Sequence, residues 1–553
     1  MSPVPVNLLV FREERGCVPG DGLKTALLGA MESRGPEAKL RALLRAGELE
    51  CGVADAAPEL AQKWELVTDR AADALVAPEL HELKASLNLV GQARVPHDLE
   101  ISKPEGFAYY ALHPLAYADV LDRFGPLPAT VGVIGLRSIG TTLSAVTGAA
   151  LRCRGVNVSR VTVRPQGHPY NRKTVLSPPQ SLWLRELLER NARLLIVDEG
   201  PGLSGSSFLS VAEALVEQGA PSERITLICG HEPDFPRLCS EDGPQRARRF
   251  RWVGADNRPR VPQGAEVFAG GGEWRRWSFS DEEDWPATWT SMERLKYLSH
   301  EDSHESRLFK FLGFGHYGDE VIERERALAA AGFAPQVARA ESGFVCYPWL
   351  RGRPMRVEDL CESVLARLAE YCAFRASGFP AGAPDLGPLQ QMAEHNLDQS
   401  GLDLPANLQL ERGLIADGRM QPHEWLLTKD GRMLKTDCGS HGDDHFFPGP
   451  TDVAWDLAGA MVEWRMDRGQ SEFFLDNYCR ASGDDVGMRI SDFLIAYAAF
   501  RSGYCLMAAN ATAVSHEQQR LDRAASDYLR LLSSLVGEGH GVPLRTVLES
   551  PAA

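Results

Sequence analysis

The feature that most constrains this chain is an alternation of short apolar strands with helical stretches between about residues 131 and 229. VGVIGLRSIG runs into TTLSAVTGAALRCRG and VSRVTVRP; WLRELLERN, RLLIVDEG, SFLSVAEALVEQGA and RITLICG follow in turn. Strands separated by helices of roughly 10 to 15 residues predict a parallel sheet with helices on both faces. Continuous apolar runs such as LLIV and ITLIC fit strands buried on both sides. Upstream, 23–90 reads mostly as helix, with a leucine-rich period near 3.6 in Ala38–Leu49. The expected architecture is therefore α/β: a helical amino-terminal extension (1–95), a parallel-sheet domain (96–240), a Trp/Arg-rich junction (241–290), and an α+β module (291–553).

Composition narrows the partners. The 553 residues carry a net charge of −16, which argues against a chain whose main work is coating nucleic acid or an anionic membrane. RARRFRW (246–252) is one short basic run, better read as a linker or ion-pair strip than as a nucleic-acid contact. The longest greasy window, Phe493–Phe500, falls far below the roughly 20 residues of a spanning helix, so no membrane partner is expected. The amino terminus lacks a secretory signal pattern, and the eleven cysteines form no C-x-x-C pair. The expectation is a reduced, cytoplasmic protein.

The sharpest motif is Leu194-Leu-Ile-Val-Asp198-Glu199-Gly-Pro-Gly202-Leu-Ser204-Gly205-Ser206-Ser207. A buried strand delivers two adjacent carboxylates at its carboxyl end, where ligands of open α/β sheets sit. A Gly/Ser loop then opens into a helix, so backbone N–H groups, a helix dipole and hydroxyls converge as a phosphate cradle. The carboxylates would face sugar hydroxyls, directly or through a divalent cation.

This segment resembles the type I phosphoribosyltransferases, whose fingerprint is four apolar residues, two acidic residues and a small-residue loop. The upstream Gly135-Leu136-Arg137-Ser138-Ile-Gly140 is similar to their pyrophosphate loop. The resemblance implies a domain binding PRPP with Mg2+: Asp198 and Glu199 at the ribose hydroxyls and the metal, Gly202 and Ser204–Ser207 at the 5′-phosphate, and Leu136, Arg137 and Ser138 at the pyrophosphate. Arg172 and Lys173 would belong to a mobile basic loop over the leaving group. Catalysis would be electrostatic stabilisation of an oxocarbenium-like transition state, with Asp198, Glu199 and Arg137 as its catalytic groups. The acceptor is not readable; Tyr109, Tyr110, His113 and Tyr117 are better read as core than as a stacking platform.

A second constellation lies in the carboxyl half. Lys310 sits mid-strand in RLFKF, glutamates Glu323 and Glu325 follow on a helix, and Met433-Leu-Lys-Thr-Asp437 and Asp452-Val-Ala-Trp-Asp456-Leu-Ala come later. This order resembles the aminoglycoside phosphotransferase branch of the protein-kinase-like fold. The resemblance implies Lys310 with Glu323 or Glu325 at ATP phosphates, Asp437 at magnesium, and Asp456 as a structural aspartate. The catalytic loop departs from the pattern: the alignment through Asp417-Gly-Arg419-Met-Gln-Pro-His423-Glu424 puts Arg419 at the base position and Glu424 at the second metal ligand. No Gly-rich phosphate loop is evident, so the module reads as a degenerate kinase-like domain. His441-Gly-Asp443-Asp444-His445 could bind a metal, supply a relocated base or form a polar surface loop.

The leading functional expectation is a Mg2+-dependent phosphoribosyltransferase of a specialised pathway acting on PRPP or a related ribose phosphate. The alternatives are a small-molecule kinase using ATP in the second module and a non-catalytic PRPP- or nucleotide-binding sensor. A homo-oligomer is compatible with either.

Overall fold

A computed structural model describes residues 10, 15–79, 83–168, 170–255, 258–299, 306–402, 407–443, 446–447 and 449–537. The chain divides into two compact units, one of 14–261 with 313–318, the other of 1–13, 262–312 and 319–553. Among the described residues, no helix is long and apolar enough to cross a membrane.

The first unit is built on a parallel sheet, as its apolar strands predict. Strands β3 (Thr130–Leu136), β4 (Asn157–Val163), β5 (Arg193–Val197), β6 (Ile225–Cys229) and β7 (Arg251–Gly254) line up in the order β4-β3-β5-β6-β7, every pairing parallel. Leu194, Ile196, Ile225 and Leu227 are sealed between layers, with Phe208 and Leu215 of the helix Ser206–Glu217 packed on one face. A small antiparallel pair, β1 (Arg15–Pro19) and β2 (Asp98–Ser102), stands apart.

The helices Pro36–Ala56 and Ala61–Val76 pack on the helix Ile139–Cys153 of the sheet layer. Gly47 marks the tightest approach, since a Cβ there would stand 1.9 Å from Thr142 Oγ1. Carboxylates on these helices answer arginines beneath them. Arg160 is held by Glu50 at 2.8 Å and by Asp69 at 2.7 Å, and Arg152 by Asp73 at 2.7 Å.

The second unit opens with a five-stranded antiparallel sheet. Strands β8 (Val267–Phe268), β9 (Lys296–Leu298), β10 (Arg307–Phe311), β11 (Ala338–Arg339) and β12 (Phe344–Pro348) take the order β11-β12-β10-β9-β8. Val321 and Ile322, of the helix His316–Ala330, pack with Val345 and Tyr347 of β12. The rest is largely helical: Glu362–Gly378, Gly387–Gln399, Ala454–Glu463, Arg468–Ser482, Ile490–Ala511 and Ser515–Gly537. It also contains the strands β13 (Gly352–Pro354), β14 (Gly413–Ile415), β15 (Trp425–Thr428) and β16 (Met433–Lys435).

The division between the two units, after residue 261, falls inside the stretch 241–290. Its first part supplies β7, where Trp252 packs into the first unit's core and Arg246 is spent on Glu213 at 2.7 Å. Its later tryptophans pack within the second unit: Trp274 stacks on His423, and Trp289 meets Phe446 and Tyr504.

Candidate functional site

The richest cluster of charged side chains in the second unit is assembled by four pieces of chain. Strands β9 and β10 place Lys296 and Lys310 as cross-strand partners. The turn after β16 carries Asp437-Cys438-Gly439, with Asp437 in the left-handed region at φ 56°, a costly conformation for a residue with a Cβ and a frequent mark of functional sites. Lys310 Nζ forms an ion pair with Asp437 and donates to Ser440 Oγ at 2.8 Å. Lys296 Nζ lies 3.1 Å from the other oxygen of that carboxylate. Burial, with help from neighbouring Lys296, pulls the Lys310 ammonium down to about 7, against the attraction of Glu325.

Glu325, 1% exposed, anchors the turn itself. Its carboxylate accepts from the Gly439 N–H at 3.1 Å, and Arg324 Nε donates to the Gly439 carbonyl at 3.1 Å. A Cβ on Gly439 would come within 2.6 Å of Glu325 Cγ. Glu323 is a correction to the sequence reading. Two residues earlier on the helix, it points to solvent and pairs with Arg326 at 2.8 Å. Helical geometry puts residues two apart on different faces, so of the two only Glu325 is buried, where its charge acts on Lys310.

Behind this lies a buried scaffold. Asp456, fully enclosed, accepts from the amides of Asp417 and Gly418 at 2.8 and 2.9 Å. Asp417 receives the Tyr371 hydroxyl and has Lys435 at 3.6 Å and Arg375 at 3.9 Å. It is a charge hub enclosed in protein.

Ligand atoms of Glu424, Asp437 and His441 all lie within 4.8 Å of one another. Burial opposes the charge of Glu424, yet Lys435 and Arg419 hold it down to about 2; burial and Arg419 keep His441 neutral, down to about 3. Two carboxylates and a neutral imidazole are a donor set for a divalent cation; the carboxylates suit Mg2+, and the nitrogen adds preference for Mn2+. Sequence reasoning placed Glu424 and Asp437 as ligands but treated His441 separately, because only the turn after β16 folds it back onto them. Asp444 and His445 lie outside the described residues.

Arg419 Nη2 donates to Tyr504 Oη at 3.2 Å, and its guanidinium lies 5.2 Å from the Phe447 ring centre. The triplet Gly270-Gly271-Gly272 falls between β8 and β9, but its Gly272 N–H is held by Glu293 at 2.9 Å.

In the first unit the acidic pair and the β3 loop do meet. Asp198 sits against the start of the helix Ile139–Cys153, where a Cβ on Gly140 would stand 3.0 Å from its carboxylate. Burial pushes Asp198 up to about 7, against backbone N–H groups of Glu199 and Gly140. Glu199 accepts from the Gly106 N–H at 3.1 Å, and Tyr117, fully buried, donates to the Asp198 carbonyl at 2.6 Å. Ser138 adopts φ 111°, a strained conformation at the β3 turn.

The remaining residues are arranged less openly than expected. Leu136 is buried in the sheet. Arg137 is not directed at a ligand: Asp55 takes it at 2.9 Å and the Ala54 carbonyl at 3.1 Å, because the helix Pro36–Ala56 lies over the loop. Ser204 Oγ donates to Ser206 Oγ at 3.0 Å and accepts the Ser206 N–H at 3.2 Å, so this hydroxyl turns into the helix start. Gly202 and Gly205 take positive φ, 57° and 68°, as the tight loop requires. Arg172 and Lys173 lie on an excursion closed by the Gln166–Lys173 bridge, with Arg172 donating to the Gly167 carbonyl at 2.5 Å.

No family model and no curated protein matches the chain. Among solved structures it is similar to the choline kinase LicA of Streptococcus pneumoniae (14% identity, 42% of this chain and 89% of that one, TM-score 0.31). A choline/ethanolamine kinase family protein of Mesorhizobium loti gives 17% identity over 46% and 89%, TM-score 0.32. The macrolide 2′-phosphotransferase MphH of Brachybacterium faecium gives 13% over 45% and 90%, TM-score 0.29. Likenesses of this size carry no functional inference for this chain.

Proposed function

We propose that the second unit binds a nucleoside triphosphate with a divalent cation and transfers its terminal phosphoryl group to a small molecule. The observation that supports this most is the convergence of Lys310, Lys296 and Asp437 under the grip of Glu325. In this reading the two lysines bind phosphate oxygens, and Asp437 and Glu424, joined by His441, hold Mg2+ or Mn2+. The cation supplies neutralisation of charge on the phosphates. Phosphoryl transfer needs mostly positioning and electrostatic stabilisation, which the buried Asp417–Asp456 scaffold serves by fixing the loop that carries Glu424. The test is titration with ATP and Mg2+ of the wild type, Lys310→Ala and Asp437→Asn. Saturable binding lost in both variants is expected; no binding by the wild type sinks the reading, and binding without any turnover leaves a sensor instead.

A second reading, a Mg2+-dependent phosphoribosyltransferase using PRPP, is favoured by one observation: Asp198 and the Gly140 turn meet at the carboxyl edge of the parallel sheet. Arg137, neutralised by Asp55, weighs against it. Titration with PRPP and Mg2+ of the wild type and of Asp198→Asn/Glu199→Gln separates the two outcomes.

A further inference from the structure

Asp437 stands in two clusters that make opposite demands on its carboxylate. On one side are the lysines: Lys310 Nζ pairs with Oδ1, and Lys296 Nζ lies 3.1 Å from Oδ2. On the other are Glu424 and His441, whose ligand atoms lie with its own within 4.8 Å of one another. Oδ2 is the contested atom, because His441 Nε2 also faces it, at 3.5 Å. Among the described residues, no other carboxylate stands at ion-pair distance from either lysine. Glu325 and Glu293 attract Lys310 and Lys296 from farther off. The backbone fixes the carboxylate at this crossing. Asp437 keeps its left-handed φ of 56°, and Gly439, two residues on, is fastened through its N–H to Glu325 at 3.1 Å.

Two lysines and a divalent cation cannot share one carboxylate without repelling one another, and the cation carries twice the charge of an ammonium. A triphosphate resolves the conflict, since its oxygens offer the lysines another anion and the cation further ligands. Building on the phosphotransfer reading above, we infer that Asp437 is a latch on the phosphate site. It occupies Lys296 and Lys310 until a divalent cation takes its carboxylate, which frees both lysines for phosphate oxygens. Cation and triphosphate are then positively coupled, each raising the affinity for the other by the same factor. Metal-free nucleotide is selected against, because it must displace Asp437 from the lysines.

The test reads binding alone, on the full chain. The wild type, Lys296→Ala, Asp437→Asn and Glu424→Gln are titrated with Mn2+ alone, followed by electron paramagnetic resonance of the free ion. Each is then titrated calorimetrically with tripolyphosphate in the presence of EDTA, and with ATP plus Mn2+. Lys296→Ala is expected to bind Mn2+ about fivefold or more tightly than the wild type, because Oδ2 is released to the cation. Asp437→Asn is expected to bind Mn2+ more weakly, yet to bind chelated tripolyphosphate about fivefold or more tightly, because both lysines are released. Glu424→Gln removes the same charge from the cluster without touching Lys296 or Lys310. It should weaken Mn2+ binding and leave tripolyphosphate affinity near that of the wild type.

The two diagnostic results are gains of affinity, which misfolding does not produce. Mn2+ bound no more tightly by Lys296→Ala, or tripolyphosphate bound no more tightly by Asp437→Asn, overturns the inference. So does an equal gain for tripolyphosphate in Glu424→Gln, which would reduce the effect to net charge. In each of those cases, binding of ATP with Mn2+ by the wild type leaves the nucleotide reading standing. Failure of the wild type to bind ATP with Mn2+ overturns both. If a thermal melt shows Lys296→Ala unfolded, Lys296→Gln takes its place in the same titration.

Discussion

Lys310 and Asp437 form an ion pair across the second unit's cluster, yet burial draws the Lys310 ammonium down to about 7. The Lys310 ammonium therefore titrates where an ordinary lysine does not. If the ammonium binds phosphate, ATP affinity is constant below about pH 7. It falls above that value, by up to tenfold per pH unit, as the free protein loses the proton that the complex needs. Titrations between pH 6 and 9 check this, and Lys310→Arg flattens the profile.

Asp456 satisfies two buried amides at once. Asp456→Ala leaves both N–H groups unpaired beside the charged Arg375, and is expected to cost about 3 to 5 kcal/mol of stability. Urea denaturation measures it. Asp456→Asn retains one acceptor oxygen and should cost less.

Gly439→Ala places a methyl group 2.6 Å from Glu325 Cγ. The turn bearing Asp437 must then move, so nucleotide affinity should fall about tenfold or more, with a stability loss of about 1 to 3 kcal/mol. Calorimetric titration beside a thermal melt separates the two effects.

Glu424→Gln and His441→Ala each remove one of three convergent ligand atoms. Each should weaken Mn2+ binding about 10- to 100-fold, read by electron paramagnetic resonance of the free ion. A chelator should abolish ATP binding by the wild type.

In the first unit, Asp55→Ala releases Arg137 at 2.9 Å and Arg164, both of which Asp55 now neutralises. Pyrophosphate affinity should rise several-fold, at a stability cost of about 1 kcal/mol because the pairs are partly exposed. Unchanged pyrophosphate binding would argue that the β3 loop is not an anion site.

Much of the architecture was legible in one dimension because it depends on local pattern. LLIV and ITLIC are apolar without interruption, and only a strand covered on both faces buries every side chain of such a run. Lys310 among Phe309 and Phe311 was likewise visible as a charge inside an apolar strand, as was Asp437 after one. The choice between Glu323 and Glu325 was not, since it depends on the rotation of one helix against β12.

Contacts between distant segments were invisible in the sequence for the same reason. Nothing near Arg137 announces that Asp55, on a helix more than eighty positions earlier, takes its charge. Nothing near His441 announces that it closes on Glu424 and Asp437. Hydrophobic periodicity sets which elements form, because burial of apolar area is proportional to local composition. Which charges face one another depends on how those elements dock, and at distances of about 3 Å a single turn of helix decides whether a carboxylate neutralises an arginine or leaves it for an anion.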